Sequence, residues 1–234
     1  MLLRPFHRFI QGIRNKCMNR IRKIACSRKR GRLINKTPTI ISNNCVGGII
    51  YHDLGLPFNS PTINLYFEHD EFIKYVTYLE EYLKTELLED TNTEENFPVG
   101  VLRNEFGEVK LYFMHFASFE EAKGKWEERT KRIDLHNIFI IMDGVLHYTQ
   151  DDLEQFDNIK YANKVILTNG VEPSCKSSFP LTFYDETYFD GKLLTYRSKF
   201  STKRYLDEFD YVSFFNAGGH SYNARKGNLS NDEC

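Results

Sequence analysis

The chain has 234 residues, 41% of them apolar and 27% charged, which excludes a wholly disordered or collagen-like protein and is enough for one real core. Its net charge of −1 hides an asymmetry: twelve of the 31 bases lie in residues 1–36, where there is no acid, leaving nineteen against 32 acids and a net −13 beyond. Five cysteines, an odd number with no C-x-x-C pair, argue against a disulfide framework or structural zinc, and no apolar run approaches the ~20 residues a membrane span needs.

The first 25 residues carry a helical pattern. Phe6, Ile10, Ile13, Cys17, Ile21 and Ile24 recur at steps of three and four, with Arg4, Arg8, Arg14, Lys16, Arg22 and Lys23 mainly elsewhere on the wheel. A basic amphipathic helix of this kind suits an anionic membrane surface. Residues 1–36 are therefore predicted to form an arm, with Arg28-Lys29-Arg30-Gly31-Arg32 as its linker to the domain; the alternative is a helix packed on its own domain. No motif or repeated base-stacking set accompanies the charge, so nucleic acid is not an expected partner.

The domain is predicted over residues 37–218, with a polar tail at 219–234. Thr37–Ser42 reads as a β-branched strand, followed by the turn Asn43-Asn44-Cys45-Val46-Gly47-Gly48 and a short helix. Thr62–Phe67 is a second predicted strand, and His69–Leu88 the longest helical pattern. Phe97–Leu102 and Val109–Phe116 read as a hairpin. Ser118 and Glu121 form a capping box that opens a charged helix running to about Arg132. Asn137–Asp143 and Lys164–Thr168 are strands of the buried type, separated by a short helix from Thr149. Beyond Asn169 the pattern weakens. Such alternation predicts an α/β fold: a three-layer sandwich with a mixed, mostly parallel sheet and helices on both faces.

In that architecture ligands bind beyond the carboxyl ends of strands. Ser42, Asn43, Asn44, Cys45, Gly47 and Gly48 follow such an end and open a helix, where free amides receive anions or oxyanions and the dipole favours a thiolate. His115 follows another strand and suits a general base; Asp143 follows a third and suits orientation of that base. Cys45, His115 and Asp143 are thus the candidate catalytic set. Trp126 and Arg129, three apart on the charged helix, are candidates for stacking on or clamping an anionic sugar, although such spacing more often means Trp in the core and Arg paired with acids.

Several of these segments resemble a known family. Ile41–Gly48, Tyr51 and Asn59-Ser60-Pro61-Thr62 match its opening pattern. Pro98-Val99-Gly100, His115-Phe116, Glu121-Ala122, Lys125-Trp126, Arg129 and Arg132-Ile133 follow in its order, and Phe209-Asp210 and Phe215-Asn216 resemble its closing motif. The family is a bacterial group of domains of unknown function whose members carry the label exopolysaccharide or capsular polysaccharide biosynthesis protein. Phe116 departs from it, since a tyrosine is expected after the histidine. The resemblance implies an α/β fold and a surface-glycan context. The strand–Asn-Cys–helix opening is also similar to a polysaccharide-biosynthesis acetyltransferase family that binds coenzyme A.

The expected function is a transferase of surface polysaccharide assembly. It would move an acyl group from a donor such as a coenzyme A thioester to a glycan or lipid-linked glycan precursor. Its expected location is the cytoplasm, peripheral on the inner face of the membrane. The alternatives are a nucleotide-sugar glycosyltransferase, against which the chain has no Asp-x-Asp pair, and a non-catalytic membrane-associated partner of the synthesis machinery.

Overall fold

The computed structural model describes residues 18, 20–145, 148–170, 174–183, 191–199 and 201–217, and the backbone of 222–223 and 228–229. Four strands form a parallel sheet in the order β1 (Thr39–Ser42), β5 (Ile138–Gly144), β6 (Lys164–Asn169) and β7 (Ser178–Leu181). Thr39 pairs with Ile138, Ile140 with Lys164, and Ile166 with Ser178. Each central strand is apolar on both sides because both faces are covered. Ile41, Ile138, Ile140, Met142 and Ile166 face one core. Ile40, Phe139, Ile141, Val165 and Leu167 face the other, following the period of two.

The first core is closed by α3 (His69–Thr77), α4 (Leu79–Tyr82), α5 (Phe119–Thr130) and α6 (Gln150–Asp157). The second is closed by α2 (Val46–Leu54) and α7 (Tyr211–Asn216). The α/β class and the mostly parallel sheet are as expected. The hairpin does not join that sheet. With β2 (Leu87–Glu89), the strands β3 (Val99–Asn104) and β4 (Gly107–Tyr112) form an antiparallel sheet of their own.

Three segments differ from their sequence reading. The pattern at 69–88 breaks at Tyr78, which leaves helical geometry and stacks on Phe106 of the hairpin at 4.2 Å; its end becomes β2. Thr62–Phe67 is a connector, not a strand, because Asn64 takes a left-handed backbone (φ 65°). That connector splices the two sheets. Phe67 N donates to Asn43 O at the end of β1, and Tyr66 exchanges two backbone bonds with Tyr112 at the end of β4.

The third difference lies in the arm. Residues 20–32 form a helix, α1, packed on the domain. Arg22 bridges Asp53 and Asp207, Lys29 also pairs with Asp207, and Arg32 pairs with Asp210. Cys26 is buried against Asp53, and Leu33 enters the second core. The basic segment is drawn in by acids of the domain it precedes. The residues before 18, and most of the 219–234 tail, lie outside the described residues.

Burial alone would raise the Asp207 carboxyl, but the Arg22 hydrogen bond and Lys29 outweigh it and hold it below the usual carboxylate range. The linked stability is therefore present above the unfolded aspartate value and lost as pH falls through the depressed folded one. Asp207→Ala, which removes the carboxylate shared by Arg22 and Lys29 and leaves Arg22 with Asp53 alone, is expected to cost about 3 kcal/mol at neutral pH. Urea unfolding of both proteins should show the gap closing in acid.

Candidate functional site

A cavity of about 560 Å³ opens at the carboxyl edge of the parallel sheet, where β1 and β5 end. Asn43, Asn44, Cys45, Asp143 and Val145 form its floor. Tyr66, Phe67, Glu68 and His69 come from the connector and the start of α3. Phe97, Met114 and His115 come from the flanks of the second sheet, with Glu95 beside them, and Gly191–Leu194 closes the far side. The splice between the two sheets brings the separate strand ends together here.

Cys45 is the N-cap residue of α2. Its Sγ lies 3.3 Å from His115 Nε2. His115 is exposed in a turn between β4 and α5, closed by the Phe116 N–H to Phe113 O bond and anchored by the buried Phe113. The Cys45 thiol is half-buried, and burial pushes it up. The contact is therefore a thiol, its proton held by burial, against the His115 ring.

Burial thus opposes the dipole-favoured thiolate expected at a helix start, and the capping bonds weaken the dipole's pull further. The Val46 amide is taken by Asn44 Oδ1 at 3.0 Å and the Gly47 amide by Ser42 Oγ at 3.1 Å. The first turn has already spent two donors internally, so the amide of Gly47 does not serve an incoming oxyanion. Ser42 is fully buried and does not line the cavity: its Oγ donates to Asn44 O and its backbone N–H donates to the Thr62 hydroxyl. Gly47 is required by contact: a Cβ there would stand 2.6 Å from Ser42 Oγ. A Cβ at Gly48, 3.4 Å from Ile63, would meet an ordinary to tight contact.

Asn43, only 3% exposed, grips the backbone of Asp143 at two points: its Oδ1 accepts from Asp143 N at 2.8 Å and its Nδ2 donates to Asp143 O at 3.1 Å. His69 Nε2 gives a third contact to the same carbonyl at 2.9 Å. A carbonyl only accepts, so the His69 proton sits on Nε2. The Asp143 carboxylate receives Asn44 Nδ2 at 2.9 Å and the Val145 amide at 3.2 Å. None of these bonds is to His115. They tie Asp143 to the loop that carries Cys45.

Trp126 and Arg129 stand elsewhere. Trp126 is packed beside Tyr75 in the first core. Arg129 is buried, donates to Ile63 O at 3.0 Å and lies over the Phe58 ring. Neither lines the cavity, so the sugar-clamping role read from their spacing gives way to packing. Sequence reasoning missed Lys192, which lines the cavity at 3% exposure with its ammonium near the Phe183 and Tyr205 rings. It also missed the part of His69, noted only as a helix start. Among the described residues no three His, Cys, Asp or Glu side chains gather as a metal site.

These features define an α/β protein with a thiol–imidazole pair at a strand-end cavity. A family profile described as "Domain of unknown function (DUF1919)" matches residues 16–216. A Haemophilus influenzae protein (strain Rd) described as "Uncharacterized protein" is 40% identical over 188 residues, covering 79% of this chain and 87% of its own. The chain belongs to the DUF1919 family. Neither description names an activity or a polysaccharide.

Iodoacetamide labelling of Cys45, quantified at the peptide, is expected to rise with pH and reach half-maximum above the ~8.5 of a free thiol. His115→Ala should slow it at neutral pH. A low, flat half-maximum would mean a resting thiolate instead.

Proposed function

We propose that the chain is a cysteine-dependent acyl transferase whose acceptor is a hydroxyl of a surface glycan or its lipid-linked precursor. The 3.3 Å Cys45–His115 contact at the cavity supports the chemistry. The family resemblance read from the sequence supports the glycan context, as do the Tyr66 and Phe97 rings and the Glu68 and Glu95 carboxylates of the cavity wall, groups suited to sugar rings and hydroxyls. A cytoplasmic site on the inner face of the membrane belongs to the proposal, as a reducing compartment keeps free thiols such as Cys45 from pairing as disulfides.

His115 Nε2 takes the Cys45 proton as Sγ attacks the donor carbonyl. The donor thiol leaves with that proton, and the acyl group rests on Sγ. The acceptor hydroxyl then gives its proton to His115 while its oxygen attacks the acyl carbon. Cys45 leaves and is reprotonated. One acyl group has moved from sulfur to oxygen with no redox change. Asn44 carries a second carboxamide N–H besides the one given to Asp143 and lines the cavity next to Cys45; it is the proposed oxyanion donor. Asp143 holds that carboxamide, making it a positioning residue.

Intact-mass and peptide analysis after brief incubation with acetyl-coenzyme A and longer acyl thioesters tests this. One acyl group on Cys45 is expected, absent from Cys45→Ala and formed about 10²–10⁴-fold more slowly by His115→Ala. Cys45→Ala should fold normally yet lose glycan assembly in cells. No adduct from any thioester, with full glycan assembly by that variant, would end the reading.

A further inference from the structure

The polarity of α1 is reversed relative to an ordinary surface helix. Arg22, Cys26, Lys29 and Leu33, at steps of four and three, are turned toward the domain. Ile21 and Ile24 are turned away from it, 51% and 54% exposed. An amphipathic helix normally buries its isoleucines and leaves its arginines in water. Here the domain offers Asp53, Asp207 and Asp210, so cations go inward and the apolar stripe is left outside. Exposed Arg20, Lys23 and Arg28 surround the stripe.

We propose that this outward face of α1 is a seat for an anionic lipid surface, with Ile21 and Ile24 entering the interface and Arg20, Lys23 and Arg28 meeting the headgroups. Three observations select that occupant. The exposed side chains have the composition of an interfacial helix, apolar residues flanked by cations. The sequence before α1 continues the pattern toward it, through Phe6, Ile10, Ile13 and Cys17 among Arg4, Arg8, Arg14 and Lys16. A second copy of the chain docking through the same face would set Arg20, Lys23 and Arg28 against their own counterparts. Beyond residue 36 the chain carries −13 and is repelled by anionic lipid, so this helix must supply the attraction.

The seat is also fixed relative to the cavity. Helix α2 carries Cys45 at its start and Asp53, which holds Arg22, in its last turn. Nine helical residues span about 13 Å. One short rigid element thus joins the lipid seat to the thiol.

The test is co-sedimentation of the full chain with vesicles of phosphatidylcholine alone or mixed equally with phosphatidylglycerol. Ile21→Glu/Ile24→Glu and Ile21→Ser/Ile24→Ser chains serve as comparisons, with unchanged melting temperatures as the check on folding. The full chain should sediment with the anionic vesicles, and both double variants should lose about tenfold or more of that binding. Equal binding to neutral vesicles, undiminished binding by the variants, or no vesicle binding by the full chain would overturn the proposal. So would a dimer of the full chain that both variants dissolve without any lipid binding.

Discussion

The carboxamide of Asn43 is the point on which the site depends. β1 ends at Ser42, and its backbone ladder with β5 ends there too. One residue further, the Asn43 side chain meets both the N–H and the C=O of Asp143, so an amide group continues strand pairing where the main chains diverge. The Asn43 carbonyl meanwhile accepts Phe67 N from the connector that also holds β4. One residue therefore fixes β1 to β5 and ties the first sheet to the second. Cys45 lies two residues along the same loop, and His115 three residues past the end of β4. A bond of 3.3 Å between residues 70 apart in sequence requires that both loops be held this firmly.

The charge distribution exerts the second constraint. Asp53 and Asp207 are both nearly buried, and each would be costly without a cation. Arg22, Lys29 and Arg204 supply three, the last 3.2 Å from Asp53. These charges need one another, so the helix is held by ion pairs together with the burial of Cys26 and Leu33. That leaves its isoleucines without a place in the protein. The excess of base at the start of the chain and of acid beyond it is thus partly an internal lock.

Much of the fold was legible because β-branched runs bounded by turns have few alternatives. The strands near residues 39, 138 and 164 begin within one or two residues of their sequence reading. The Cys45–His115 pairing followed from one rule, that both come after strand ends. What stayed hidden depended on contacts distant in sequence. Nothing local marks Tyr78 to leave its helix, since the cause is a ring on another hairpin. Trp126 and Arg129 have the spacing of a binding face, but the side they present is decided by Tyr75, Phe58 and Ile63. Lys192 sits in a segment of weak periodicity, and its approach to the cavity has no signal in spacing. The inward turn of Arg22 needed acids about 30 and 185 residues away.

The state of Cys45 follows from weighing two opposed effects. A helix N-terminus favours an anion by about 0.3–1 kcal/mol, well under one pKa unit in most settings. Here Asn44 and Ser42 already occupy two of the first amides, which weakens the field that Sγ meets. Burial acts the other way and wins, so the thiol keeps its proton at rest. A protonated thiol is a poor target for oxidants, which act on the thiolate. The cost is that nucleophilicity must be supplied at the moment of reaction. His115 is the group in position to supply it, exposed on its turn and touching sulfur from the second sheet. The burial that holds the proton on sulfur and the splice that delivers the imidazole are therefore complementary: one keeps the thiol unreactive, and the other makes its activation depend on the two sheets being joined.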